Sequence, residues 1–260
     1  MKTDPRTGEP EGRWTTVDGV RMHVRVSEGP TTEVSPPVIL VHGLVVSGRY
    51  MLPTLRHLAP SCKVYAPDLP GFGRSEKPSG VLDVAALSDA LARWMGVVGL
   101  GSAALVGNSL GCQIVADLAA RHPELVGWIV LQGPTMDPQA RSVRRQLARF
   151  LLDAPREPSS LLPIQLCDYL AAGPRRAWRT FVYALEDRIE DNLPRVEIPA
   201  LVVRGSRDPI CPQRWAEEVA GLLPRGRLVV VPGAAHTLNF GAPTEFAGLI
   251  RGFLDEGREG

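Results

Sequence analysis

At 260 residues, with 22% of them charged and a formal net charge of +1, the chain has the composition of an ordinary globular protein. Its length suits one large domain, or one domain carrying an insertion. The balance of 29 basic against 28 acidic residues gives no electrostatic case for nucleic acid or an anionic membrane as main partner.

Residues 1–12 are polar and rich in Pro and Gly, and read as a flexible segment. They lack the apolar stretch of a signal peptide, and no run is long enough to span a bilayer, which points to the cytoplasm. Cys62, Cys112, Cys167 and Cys211 are scattered without metal-like pairing, so reduced thiols are expected, and neither a metal nor a cofactor.

Arg13 to Glu28 reads as a hairpin turning at Asp18-Gly19. Val38 to Val41 is a continuous apolar run, as in a strand buried on both faces. A helix is expected over Gly48 to Ala59, a strand over Lys63 to Ala66, and a helix over Asp83 to Val98 with Asp83 as its N-cap. Then come strand Ala103 to Val106, helix Ser109 to Arg121 and strand Val126 to Leu131. The last third alternates similarly, with strands Ala200 to Val203 and Arg227 to Val231 and helices Pro212 to Leu223 and Thr244 to Asp255. Such alternation predicts an α/β fold with a mostly parallel, doubly wound sheet.

From Thr135 to Arg195 the alternation stops, and only helical stretches occur, punctuated by prolines. This predicts an all-helical lid, residues 135–195, inserted between two strands of a core made of residues 13–134 and 196–260. Leu147, Phe150, Leu151, Leu162, Ile164, Leu166, Tyr169, Trp178, Phe181 and Tyr183 supply its apolar side chains, many expected to pack it onto the sheet.

In a parallel sheet, ligands bind beyond the carboxyl ends of the strands. Four such positions carry unusual residues. Ser109 stands in Gly107-Asn108-Ser109-Leu110-Gly111, where the glycines permit a sharp turn and the next helix aims its N–H groups at the serine. By itself the serine could equally be a helix cap. Asp208 follows the strand of Ala200 to Val203, His236 follows that of Arg227 to Val231, and His42-Gly43-Leu44 follows Val38 to Val41. Cys211 lies beside Asp208. Ser, Asp and His in that chain order, each after a strand at one end of the sheet, match a nucleophile-elbow hydrolase.

With these motifs the chain resembles the α/β-hydrolase superfamily from about Arg13 to Leu254. "VILVHGL" is similar to the oxyanion strand and turn, "VYAPDLPGFGRSEKP" to the loop after the next strand in lidded members, "LVGNSLG" to the elbow, "VVRGSRDPICP" to the acid loop and "VPGAAHTLNFGAPTEFAGLIRGFL" to the histidine loop and last helix. The expected roles are Ser109 as nucleophile, His236 as base, Asp208 as its orienting acid, and the Leu44 and Leu110 amides as oxyanion donors.

The expected substrate is a small to medium, largely apolar ester, thioester or lactone in a pocket with mainly apolar walls. His42, Gly43, Met51, Asn108, Met136 and Trp178 are its candidate lining. A serine at the elbow, where related dehalogenases and epoxide hydrolases carry aspartate, favours acyl transfer. Asn108 keeps open a carbon–carbon hydrolase of aromatic ring-cleavage products. That reading would need a lid cation such as Arg175, Arg176 or Arg179. Perhydrolase side activity is compatible with the same residues. A third reading is a low-turnover ligand-binding or signalling member of the fold. Nothing in the sequence sets an oligomeric state.

Overall fold

The computed structural model describes residues 10–29 and 36–259, so the expected flexible segment lies outside it as far as residue 9. Strand β1 (Glu11–Val17) already begins at Glu11, two residues ahead of the reading from composition. It pairs with β2 (Val20–Ser27), Val17 facing Val20 across Asp18-Gly19. Both turn residues take positive φ, 49° and 79°, as a two-residue hairpin turn of matching twist requires.

Next come β3 (Val38–Val41), a single 3-10 turn at Gly48–Met51 leading into α1 (Leu52–Leu58), and β4 (Val64–Pro67). Helix α2 (Val84–Val97) is capped by Asp83, which accepts the Ala86 amide at 2.8 Å. Strand β5 (Ala103–Asn108), α3 (Leu110–Arg121) and β6 (Val126–Gln132) complete the first part. Between β6 and the next strand stand α4 (Val143–Asp153), α5 (Leu162–Ala172), α6 (Pro174–Glu186) and α7 (Ile189–Asn192). The chain ends with β7 (Ala200–Gly205), α8 (Gln213–Leu222), β8 (Gly226–Val231), α9 (Leu238–Gly241) and α10 (Pro243–Glu259).

The sheet order is β1-β2-β4-β3-β5-β6-β7-β8. The β1–β2 and β2–β4 pairs are antiparallel, and all pairs from β4 onward are parallel. Alternate residues of one strand serve opposite layers. Ile39 and Val41 pack in the layer of Trp94, Leu118 and Trp215, from α2, α3 and α8. Val38 and Leu40 pack in the layer of Leu55, Phe246 and Ile250, from α1 and α10. Two covered faces explain why β3 reads as an unbroken apolar run.

The segment between β6 and β7 contains only helices, and its two halves attach differently. Phe181 and Ala184 of α6 and Ile189 of α7 enter the main core. Helix α4 is inverted: it buries Gln146 and Asp153 but exposes Leu147, Leu151 and Leu152 by 49%, 76% and 56%. Helix α5 buries Asp168 and exposes Leu162, Leu166 and Leu170. Asp168 accepts from Ser47 Oγ at 2.8 Å and Arg49 Nη2 at 3.3 Å, and Arg149 Nη2 donates to Asp137 at 2.8 Å. These polar contacts hold α4 and α5 together with a few apolar ones, from Val143, Phe150 and Ile164. The expectation that apolar residues would pack this segment onto the sheet is corrected for Leu147, Leu151, Leu162, Leu166, Tyr169 and Trp178, all exposed.

Among the described residues no helix is long and apolar enough to cross a membrane, and no His, Cys, Asp and Glu cluster is arranged for a metal. Cys62, Cys112 and Cys211 are buried and Cys167 is exposed.

Candidate active site

Ser109 sits between β5 and α3 with φ 56° and ψ −118°, a conformation that costs a non-glycine residue of order 1–3 kcal/mol. The flanking glycines show what imposes it. A Cβ on Gly107 would stand 2.5 Å from the Gly111 carbonyl carbon, and one on Gly111 would stand 2.4 Å from the Val41 carbonyl oxygen. Close packing of α3 on β5 and β3 therefore requires both. The Ser109 side chain makes no capping hydrogen bond.

Asp208 follows β7. Its Oδ1 accepts the Ile210 and Cys211 amides at 2.8 and 2.9 Å, and its Oδ2 lies 2.9 Å from His236 Nδ1. In the neutral imidazole, a carboxylate at that place assigns the proton to Nδ1 and leaves Nε2 as the acceptor. Nε2 is buried and has no hydrogen-bond partner among the described residues. Ser109 lines the same cavity but is not yet bonded to it, and such bonds commonly tighten only with substrate in place. Gly133, at φ 58°, makes room for the imidazole: a Cβ there would lie 2.8 Å from the His236 ring.

Burial disfavours the charged form of His236, but the Asp208 carboxylate and its hydrogen bond, with Asp153 and Glu157 beyond, outweigh it and raise the pKa to about 9. Asp153 is raised to about 7, chiefly by burial and then by Glu157 and Asp208, with His236 acting in the opposite sense. Cys112 and Cys211 are buried, which pushes both thiols well above their ordinary range, and Cys211 meets Asp208 through its backbone amide.

A cavity of about 80 Å³ joins these groups. Gly43, Leu44 and Asn108 line it, together with Tyr50, Phe150, Asp153, Gln165, Tyr169 and Thr237. Its wall is polar as much as apolar, a correction to the expected apolar pocket. Leu110 provides the first N–H of α3, which has no intrahelical acceptor. Asn108 Oδ1 accepts from Tyr50 OH at 2.5 Å.

The other expected lining residues lie elsewhere. His42 stays behind the cavity, accepting the Leu69 amide on Nε2 at 3.1 Å while Nδ1 faces the Gly43 carbonyl at 3.0 Å. Burial holds its pKa below the ordinary imidazole value. Met51 and Met136 fill the two core layers on opposite faces of the sheet. Trp178 is half exposed, with its ring 5.9 Å from that of Phe181. Arg175, Arg176 and Arg179 line a separate open cleft of about 750 Å³ with Lys77. There Arg176 donates to the Pro78 and Gly80 carbonyls, and Arg179 stacks over Tyr183.

Sequence reasoning missed several residues. Asp68, inside the quoted "PDLPGFGRS" loop, accepts Arg25 Nη1 and the Gly48 amide at 2.7 Å and the Arg74 amide at 3.0 Å, and lies 3.0 Å from His23 Nδ1. It thereby pins the segment that follows Gly43-Leu44. Burial opposes its charge, but His23, Arg25 and the Arg74 amide hold it down to about 2. Asp153 had a readable signal: Gln146, Phe150 and Asp153 recur at helical spacing, opposite the leucines.

A family model described as "Alpha/beta hydrolase family" matches residues 38–249. The chain is 28% identical to a 2-hydroxymuconate semialdehyde hydrolase of Pseudomonas sp. (strain CF600), over 85% of this chain and 87% of that protein. It is also 28% identical to a pimeloyl-[acyl-carrier protein] methyl ester esterase of Neisseria meningitidis serogroup B, over 85% of this chain and 93% of that one. Its fold is similar to the crystal structure of a bacterial membrane phospholipase A, with TM-score 0.83 and 25% identity over 97% of this chain and 88% of that one.

Proposed function

We propose that this chain, which belongs to the alpha/beta hydrolase family, is a serine hydrolase that cleaves a small acyl ester through an acyl-enzyme. One observation carries the reading: His236, 2.9 Å from Asp208, presents a buried Nε2, unpartnered among the described residues, in the cavity that Ser109 lines.

In the proposed mechanism Ser109 Oγ attacks the acyl carbon and gives its proton to His236 Nε2. Asp208 keeps the Nδ1 proton in place and stabilises the imidazolium. The Leu44 and Leu110 amides receive the oxyanion, and donors of that kind contribute on the order of 3 kcal/mol each. His236 then protonates the leaving alcohol, and its next proton comes from the water that attacks the Ser109 ester. The products are one carboxylic acid and one alcohol. Helices α4 and α5 act as the lid, since Phe150, Asp153, Gln165 and Tyr169 roof the cavity.

A carbon–carbon hydrolase is a second reading, favoured by Asn108 and by the likeness to the semialdehyde hydrolase. The ester reading stands first because, among the described residues, no Arg or Lys lines the cavity. The test is hydrolysis of p-nitrophenyl acetate beside a vinylogous diketone. Ester turnover that disappears in Ser109→Ala supports the proposal. Efficient diketone cleavage with marginal ester turnover reverses the order.

A further inference from the structure

The cavity beside Ser109 holds one carboxyl group that ester hydrolysis does not use. Asp153 lines that cavity, is 5% exposed, and its Oδ1 is buried without a hydrogen-bond partner among the described residues. Burying a carboxyl group in that way is unfavourable unless something compensates. The helix that carries it makes the placement deliberate. Apolar burial would turn Leu147, Leu151 and Leu152 inward, yet α4 turns Gln146 and Asp153 inward and leaves those leucines in solvent.

The neighbours of Asp153 do not use up its acceptor capacity. Glu157 shares a hydrogen bond with it but is itself committed to Thr237, accepting from the amide at 2.8 Å and from the hydroxyl. Asp208 is occupied by His236 and two amides. The charged or chargeable groups bearing on the cavity are the Asp153, Glu157 and Asp208 carboxyls and the His236 imidazole, beside the Tyr50 and Tyr169 phenols, whose ionisation burial opposes; among the described residues no Arg or Lys is in the wall. An anionic acyl chain would be desolvated against carboxylates. A cationic one would meet an oxygen with a free lone pair, and a charge-assisted bond there is about twice as strong as a neutral one. The cavity, at about 80 Å³, is small, which suits a short acyl chain.

Resting on the serine-hydrolase reading, we propose that Asp153 selects acyl substrates whose short chain carries a primary ammonium group, so that the preferred substrates are esters of small amino acids. The Asp153 carboxylate receives the ammonium while Ser109 attacks the carbonyl. The released acid is the free amino acid.

Four ethyl esters of matched length test this at about pH 8: those of β-alanine, 3-hydroxypropionate and butyrate, and monoethyl succinate. The proposal expects kcat/KM for the β-alanine ester to exceed that for the butyrate ester by about tenfold or more, with the hydroxy ester between and the succinate slowest. In Asp153→Asn the β-alanine to butyrate ratio falls toward one, and Asp153→Glu restores part of it. Butyrate cleaved as fast as β-alanine overturns this proposal alone, as does a hydroxy ester preferred to the amine or a ratio that survives in Asp153→Asn. Cleavage of none of the four, with Ser109 inert to a fluorophosphonate, overturns the hydrolase reading and this one with it. The wild-type ratio decides the matter even if the variants do not fold.

Discussion

Gln132 holds His236 across the mouth of the sheet: its Nε2 donates to the His236 carbonyl at 2.6 Å. Its own carbonyl accepts the Ser109 amide at 3.0 Å. One residue at the end of β6 therefore sets the position of the elbow and of the histidine loop together. Gln132→Leu is expected to lower kcat by about tenfold to a hundredfold with little change in KM, because a misplacement of about 1 Å has that effect. Steady-state kinetics on protein of unchanged near-UV circular dichroism checks it.

The pH profile follows from the charges around His236. The base must be neutral, and its pKa stands at about 9, so kcat/KM should rise with pH through that value. Asp208, Asp153 and Glu157 are the carboxylates that raise it. Removing one of them in Asp153→Asn should move the midpoint down, measured with a neutral ester across pH 6–10. A midpoint that stays in place would contradict the role of Asp153 in this field.

Asp68 gives a stability prediction of definite sign. Its folded pKa, about 2, lies below the ordinary carboxylate value of about 3.9. Its stabilisation is therefore fully present above about pH 4 and is lost as pH falls through about 2. Asp68→Asn should lower unfolding free energy at neutral pH by about 2–3 kcal/mol, with the gap from wild type closing as pH falls. Urea titrations at several pH values read this directly.

Trp178 makes a contrasting case. It is half exposed on α6 and does not line the cavity. Trp178→Ala should leave kcat/KM for a short ester within about twofold, as surface changes away from a site generally do. A larger loss would place the substrate against α6.

The fold was legible because its strands are short, apolar and followed by punctuating residues. The apolar run Val38 to Val41 gives the limits of β3 to the residue, and the place of Asp83 before a helical period marks it as the cap. The elbow was legible for a steric reason, since only glycine fits at positions 107 and 111. The cavity lining was much less so. Met51 and Met136 follow strand ends in sequence, but the turns after β3 and β6 carry them into the two core layers. Tyr50 and Asn108 meet only because the 3-10 turn brings residues 58 positions apart together. Helix α4 follows a hydrophobic reading only at Phe150, which packs against the core, because its leucines face water and its carboxyl faces the cavity.

Everything proposed for the site depends on Ser109 as the nucleophile, activated by His236. Mass spectrometry of the folded protein after fluorophosphonate treatment tests it most directly. One adduct is expected, on Ser109, absent in Ser109→Ala and formed far more slowly in His236→Ala. An unlabelled Ser109 in folded wild-type protein, or an adduct on another residue, would contradict it.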